Sequence, residues 1–138
     1  MTDEWDFSKD YRSNAAYVRV EGAIINPNTL NRAPFSFECM IDTGFFSGLY
    51  YEASLQSDAL TVDIVPAPTT IQLADGTPAA AHTCIAHIEK INDHALSSPG
   101  IPVTLYMRGT GRGYMGMEAL KSFIVLLDGP SQKLKIRF

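Results

Sequence analysis

Apolar runs, many of them alternating with polar residues, recur along the chain, and short clusters of Gly, Pro, Asn, Asp and Ser separate them. Alternation with a period of two is typical of strands that are buried on one face, and these small residues favour turns. The predicted strands are residues 16–25, 34–41, 61–65, 70–73, 79–91, 101–107, 123–127 and 133–138. Such regular punctuation indicates an all-β protein, either a sandwich or a closed barrel.

Helical signals are weak by comparison. Residues 117–122 are rich in good helix formers and predict one short helix near the C-terminus, with a weaker candidate at residues 52–59. Residues 1–13 are too polar to add much to a core and are expected to form a polar, fraying arm. The domain itself is therefore predicted to comprise residues 14–138.

Composition narrows the class of protein. A chain of 138 residues suits a single domain, and 46% hydrophobic with 19% charged residues is ordinary for a globular protein. The formal net charge of -4 and the scattered Lys and Arg residues give no electrostatic reason to bind a phosphate backbone. Nucleic acid is not an expected partner.

Cysteines and histidines show no spacing typical of a metal site. Cys39 and Cys84 lie far apart in apolar stretches and are expected to be reduced core residues, and the three histidines are irregularly spaced. Neither a metal nor another cofactor is expected. The N-terminus lacks a signal-peptide pattern, and no apolar run is long enough to span a bilayer, so a cytoplasmic protein without membrane contact is expected.

The candidate chemistry begins at Asp42. The β-rich run 35–41 delivers this carboxylate to a tight turn made by Thr43 and Gly44. Gly44 leaves room for backbone amides around the carboxylate, and Thr43 offers a hydroxyl that can hydrogen-bond to a neighbouring backbone. Asp-Thr-Gly could be an ordinary turn, but the segment 45–51 that follows is apolar too. A polar turn between two buried runs must satisfy its polar groups inside the protein, which favours a functional site.

Three segments, in the expected order, resemble the retropepsin-like (clan AA) aspartic proteases, in particular their bacterial and archaeal single-domain subgroup. Residues 41–49, Ile-Asp-Thr-Gly-Phe-Phe-Ser-Gly-Leu, resemble the catalytic-loop signature of that subgroup, in which Phe follows Asp-Thr-Gly. Residues 71–76, ending in Ala74-Asp75-Gly76, resemble one strand and the tip of the flap hairpin, where Asp-Gly suits a two-residue reversal. Residues 114–123 are similar to the segment of two hydrophobic residues and Gly that precedes the single helix. The resemblance covers residues 16–138.

This resemblance implies a single-lobe, closed β-barrel with one short C-terminal helix that forms a homodimer and cleaves peptide or protein substrates. It implies catalytic roles for Asp42, Thr43 and Gly44. It implies contacts with bound peptide from the flap and the cleft, at Ala74, Asp75, Gly76 and Phe45. Thr43 would clasp the partner's loop, and the flap would close over the peptide and exclude water.

Aspartic proteases use two carboxylates that share one proton, because like charges at such close range cannot both ionise. The chain contains a single Asp-Thr-Gly. A two-fold axis beside Asp42 would supply the second carboxylate from an identical subunit. A weaker possibility is a dyad within one chain that uses Asp75 or Asp128.

Other functions compete with this interpretation. The strongest alternative is a non-catalytic module that binds an extended peptide in the same cleft by strand addition. Residues 111–116 read Gly-x-Gly-x-x-Gly, but a dinucleotide site needs a βαβ unit and a later acidic residue, and only 22 residues follow Gly116. These glycines are therefore interpreted as a flexible turn. Ser47 has no obvious His and Asp companions, so a serine-hydrolase triad gains no support.

Overall fold

The structure is a computed structural model that describes residues 5–73, 75–109 and 111–138. Most of them lie in strands. In chain order the elements are β1 (Phe7–Asp10), β2 (Tyr17–Ile25), β3 (Arg32–Ile41), β4 (Leu49–Tyr51), α1 (Leu55–Thr61), β5 (Ala67–Gln72), β6 (Pro78–Ile91), β7 (His94–Ala95), β8 (Ile101–Met107), β9 (Gly113–Met115), α2 (Met117–Leu120), β10 (Ile124–Asp128) and β11 (Lys133–Arg137).

Six strands form a closed barrel. Their order is β2-β3-β9-β4-β8-β6, and β6 closes the barrel by pairing with β2. Inward-facing apolar side chains of these strands, such as Val20, Ile88 and Leu105, are fully buried and fill the interior. Closure pairs the strand edges that would otherwise be exposed, and the expected all-β, single-lobe barrel is confirmed. Cys39 belongs to this core, whereas Cys84 is only half-buried, and both are free thiols.

The strand β3 shows how the sequence pattern positions the site. Phe35, Phe37 and Cys39 point into the core and are buried, while the alternate positions Glu38 and Met40 are only partly covered. Since side chains of a strand alternate between its two faces, Glu38 and Met40 lie on the outer face. Asp42 follows in the same alternation, so the row of outward side chains leads directly to the candidate carboxylate.

A second, three-stranded sheet joins the two ends of the chain. Its order is β1-β11-β10, and Phe7 of β1 lies opposite Ile136 of β11. The sequence predicted that residues 1–13 would fray, yet residues 7–10 form a strand, because Phe7 packs against the core to which the buried Leu134 and Ile136 belong. The boundary at residue 14 stays a prediction.

Two helices flank the barrel. The C-terminal helix was predicted and is confirmed as α2, and the weaker candidate is confirmed as α1. The predicted strand at 61–65 is wrong, because Leu55, Ala59 and Val62 are buried at a helical spacing and place the start of that segment in the last turn of α1. Neither helix of the described ranges is long and apolar enough to cross a membrane.

Candidate active site

The loop of residues 42–48 connects β3 to β4 and crosses the end of the strand that lies between them. That strand, β9, pairs in parallel with β3 and antiparallel with β4. The backbone N–H of Asp42 donates a hydrogen bond of 2.9 Å to the carbonyl oxygen of Met115 in β9. The backbone that carries the carboxylate is therefore held by the barrel itself.

The carboxylate of Asp42 is half-buried and hydrogen-bonded within its own loop. Its Oδ1 accepts a hydrogen bond of 3.0 Å from the backbone N–H of Gly44, and the carbonyl oxygen of Asp42 accepts one from Phe45 N–H at 3.2 Å. A Cβ at position 44 would lie only 3.3 Å from Oδ1. Glycine at this position therefore leaves the carboxylate accessible while its amide fixes the orientation of Asp42.

Backbone contacts from the start of α2 support this loop from behind. Gly116 N–H donates to the carbonyl of Gly48, and Met117 N–H donates to that of Phe45 at 2.8 Å. Gly116 allows this approach, because a Cβ there would lie 2.3 Å from the carbonyl oxygen of Ser47 and 2.4 Å from that of Phe45. No side chain fits between the loop and the helix.

Glu118 is a positioning residue that the sequence analysis missed. Its backbone N–H donates to the carbonyl of Ser47, and its Oε1 accepts a hydrogen bond of 2.6 Å from the backbone N–H of Thr104 in β8. Glu118 thus connects the loop, α2 and the barrel wall. The sequence did offer one signal for Glu118, its position in the first turn of a helix, where a carboxylate is favourable. Its partner Thr104, 14 residues away in the chain, could not be predicted from the sequence.

The carboxylate lies in a cleft of about 450 Å³. Loop residues and the outer face of the barrel form one wall, and residues 71–73, at the end of β5, form the other. The lining residues are Met40, Asp42, Gly44, Phe45, Phe46, Tyr50, Ile71, Gln72, Leu73 and Tyr114. Aromatic rings dominate this wall, with the rings of Tyr50 and Tyr114 5.6 Å apart. A single carboxylate in a largely apolar cleft can act as an acid or a base on a bound ligand whose neighbouring groups are apolar.

The hairpin of β5 and β6 stands beside the cleft, where the resemblance placed the flap. Leu73 N–H donates to the carbonyl of Thr77, and Gly76, with φ of +85°, donates to that of Leu73. Three residues therefore separate the closing pair, and the predicted two-residue reversal is wrong. Position 76 requires a left-handed conformation, which Gly adopts without strain.

The predicted substrate contacts are only partly brought together. Phe45 lines the cleft. Asp75 and Gly76 lie at the hairpin tip, where the Thr77 N–H donates to Asp75 Oδ1 at 2.9 Å and thereby lowers the pKa of this exposed carboxyl. Ala74 lies outside the described residues. Contact of the tip with bound peptide stays a prediction.

Thr43 faces a different surface. It is exposed and lines a depression of about 320 Å³ on the side of α2 and β10, away from the cleft. The other lining residues are Met117, Leu120, Lys121, Phe123, Val125 and Leu127. The loop thus presents its carboxylate to one side and its threonine to an apolar surface on another.

The structure gives little support to the competing sites. Asp128 Oδ1 accepts a hydrogen bond from Ser131 N–H in its own turn, and neither Asp128 nor Asp75 is among the residues that line the cleft of Asp42. The segment 111–116 was interpreted as a flexible turn, but its residues 113–115 form β9, and the helix that follows has only four residues. A dinucleotide fingerprint is thereby excluded for this segment. Within the described ranges, no group of His, Cys, Asp or Glu side chains could hold a metal ion.

Together these features define a single-lobed β-barrel with an aspartate loop beside a hairpin. The fold is retropepsin-like. A retropepsin-like aspartic protease from Rickettsia conorii has a similar crystal structure, with a TM-score of 0.57 and 13% sequence identity over 98% of this chain and 96% of that one. No family model matches the chain, and the comparison with curated proteins found no match.

Proposed function

We propose that the protein is an aspartic endopeptidase that acts as a homodimer, and that it belongs with the single-domain enzymes whose Asp-Thr-Gly is followed by Phe. The observation that carries the proposal is the carboxylate of Asp42. It lies in an apolar cleft, on a loop held by hydrogen bonds from β9 and α2. The similar structure of a retropepsin-like aspartic protease supports the fold that this activity requires.

The proposed mechanism needs two such carboxylates. One Asp42, ionised, takes a proton from a water molecule, and that water attacks the carbonyl carbon of the scissile peptide bond. The other Asp42, protonated, donates its proton to the carbonyl oxygen. The lining of the described cleft contains a single acidic residue, so we assign the second carboxylate to an identical subunit across a two-fold axis.

An apolar surface is available for this dimer. It includes the depression beside Thr43 and the exposed side chains of Met117 and Leu127, whereas Ile124 and Leu126 are exposed on the other face of β10. In the order β1-β11-β10, the strand β10 has a free edge, and such an edge readily pairs with another strand. Exposed apolar side chains next to the loop and an unpaired strand support a subunit interface here.

Leu127→Asp is expected to separate the subunits. Leu127 is 43% exposed, and its replacement would place a charge in the proposed interface, where an unpaired charge is costly. The dissociation constant should rise by about 100-fold, measured by sedimentation, with circular dichroism as the check on folding. Val65→Asp is the matched control, since Val65 is 82% exposed in a loop beyond α1. A variant at Leu127 that stays as dimeric as the control would contradict this interface.

Digestion of a mixture of peptides tests the proposed activity. Cleavage sites are read by mass spectrometry between about pH 4 and 7, where one shared proton per carboxylate pair is expected to give a bell-shaped profile. A peptide analogue with a hydroxyl group in place of the scissile carbonyl should inhibit the reaction, because it resembles the tetrahedral intermediate. Failure of a verified dimer to cleave any peptide at any pH would refute the proposed activity.

A non-catalytic peptide-binding module is the second candidate. The strand β5 ends the strand order of the larger sheet, so its outer edge is open to pairing with an extended peptide beside the cleft. In this case peptides would bind without being cleaved, and replacement of Asp42 by Ala would leave their affinity largely intact. In the peptidase, the same replacement removes cleavage from a folded dimer.

A further inference from the structure

A second depression, of about 390 Å³, adjoins the cleft that holds Asp42. The two cavities share Met40 and Tyr114 as lining residues, so these side chains form a common wall between them. Beyond this wall, the outer face of β3 continues with Glu38 and Ser36. A peptide that leaves the cleft along β3 would therefore pass directly over the second depression.

The side chains of this depression are strongly basic. It is lined by the three arginines Arg12, Arg19 and Arg112 and by one acidic residue, Glu38, which gives a formal charge of +2. The whole chain carries a formal charge of -4. Positive charge is thus concentrated next to the cleft of a protein that is otherwise acidic, and such a concentration attracts anionic groups.

One of the arginines is neutralised within the protein. Arg12 binds Glu38 through two hydrogen bonds, with Nη1 3.0 Å from Oε2 and Nη2 2.5 Å from Oε1. This pair lowers the pKa of Glu38, so the glutamate stays charged and paired. The guanidinium of Arg12 also lies 4.1 Å from the centre of the Tyr17 ring, which fixes its position.

Within the described ranges the other two arginines form no ion pair, although Glu38 lies opposite Arg19 where β2 pairs with β3. Arg19 Nη1 donates a hydrogen bond of 3.1 Å to the neutral hydroxyl of Ser36. Among the ion pairs of the described ranges, none involves Arg19 or Arg112. Both side chains are exposed, yet both line the same depression. Two guanidinium groups that are not engaged in an ion pair can bind a carboxylate through several charge-assisted hydrogen bonds.

We propose that this depression is a subsite for an acidic side chain of the peptide substrate, which Arg19 and Arg112 bind; the inference rests on the proposed function of the adjoining cleft. Residues on one face of a strand repeat every 6 to 7 Å, so Glu38 lies about 13 Å from Asp42 along β3. An extended peptide has the same rise per residue. The acidic residue therefore falls roughly three or four positions from the scissile bond.

Binding to the full-length Asp42→Ala protein tests this subsite without requiring cleavage. The probes are short fluorescent peptides with aromatic central residues and amidated C-termini, in pairs that differ only by Glu or Gln at one position. We expect the Glu peptide to bind about five- to tenfold more tightly at the position that reaches the arginines, because two partly exposed ion pairs form. Added salt should reduce the difference.

Variants assign the preference to particular side chains. Arg112→Gln and Arg19→Gln should each remove most of the difference between Glu and Gln peptides, measured as the ratio of their two affinities. Lys90→Gln is the matched control, because it removes one exposed positive charge from a different depression. Peptides with a free C-terminal carboxylate show whether a chain end can take the place of the side chain.

Each outcome separates the subsite from the catalytic proposal. A Glu preference that disappears in the two arginine variants supports the subsite, even if the wild-type protein cleaves nothing and the peptidase proposal fails. Equal binding of Glu and Gln peptides at every position overturns the subsite, even if cleavage is observed. The subsite is also overturned if only a free C-terminal carboxylate raises affinity, or if no peptide of the set binds.

Discussion

Wild-type chains mixed with an excess of Asp42→Asn chains are expected to lose almost all peptidase activity. Each mixed dimer would hold one carboxylate and one amide, and an amide neither activates water nor donates the required proton. Asp42→Asn alone is expected to lower cleavage by about 10²- to 10⁴-fold, the typical contribution of a general acid or base. In the mixture, activity should follow the square of the wild-type fraction, because only wild-type pairs are active.

An equimolar mixture distinguishes a site shared by two subunits from independent sites in monomers. After subunit exchange, about a quarter of the dimers would carry two intact carboxylates, whereas independent monomers would keep about half of the activity. Asp63→Asn chains are the control, since Asp63 is exposed beyond α1 and its left-handed backbone, with φ of 60°, suits Asn. Activity that declines in proportion to the wild-type fraction would contradict a shared site.

Gly116→Ala is expected to damage both the stability and the activity of the protein. The backbone at this position, with φ of -104°, accepts any residue, so the expected effect is steric. The added methyl group would lie 2.3 and 2.4 Å from two backbone carbonyl oxygens of the catalytic loop, and neither can rotate away. Overpacking of this kind costs about 1 to 3 kcal/mol of unfolding free energy. A loop displaced by about 1 Å would lower cleavage by roughly 100-fold.

Urea unfolding and peptide cleavage, measured on the same preparations, check this expectation. Gly129→Ala is the matched control, since a Cβ at Gly129 would have no neighbour within 4 Å. Its stability should stay within about 0.5 kcal/mol of the wild type. Equal stability of the two variants would show that the contact between α2 and the loop tolerates a side chain, contrary to the tight packing described for Gly116.

Long strands with a clear alternation were predictable from sequence. In β3, buried Phe35, Phe37 and Cys39 alternate with polar or partly covered neighbours, and the predicted strand differs from the observed one only in its first residues. The segment 61–65 misled the prediction because Val and Ile favour strands. Its actual structure depends on the burial of Leu55 and Ala59 against the barrel, which is a tertiary effect that local composition does not contain.

The short strands could not be predicted from the period of apolar residues. The strands β4 and β9 have three residues each, too few to establish a period, and β9 includes a glycine that resembled a turn. The position of Asp42 at the end of a buried strand was predicted from the apolar runs around it. Glu118 binds the backbone of Thr104, and Arg19 and Arg112 line one depression although they lie far apart in the chain; only the closed barrel brings these residues together.

The support behind the loop of Asp42 comes from a late part of the chain. Asp42 belongs to the first third, yet the hydrogen bonds that fix its loop come from Met115, Gly116, Met117 and Glu118. A growing chain on the ribosome exposes Asp42 long before those residues have been synthesised. The order of translation therefore delays assembly of the site until nearly the whole barrel has emerged, and in the proposed peptidase an incomplete chain would lack activity.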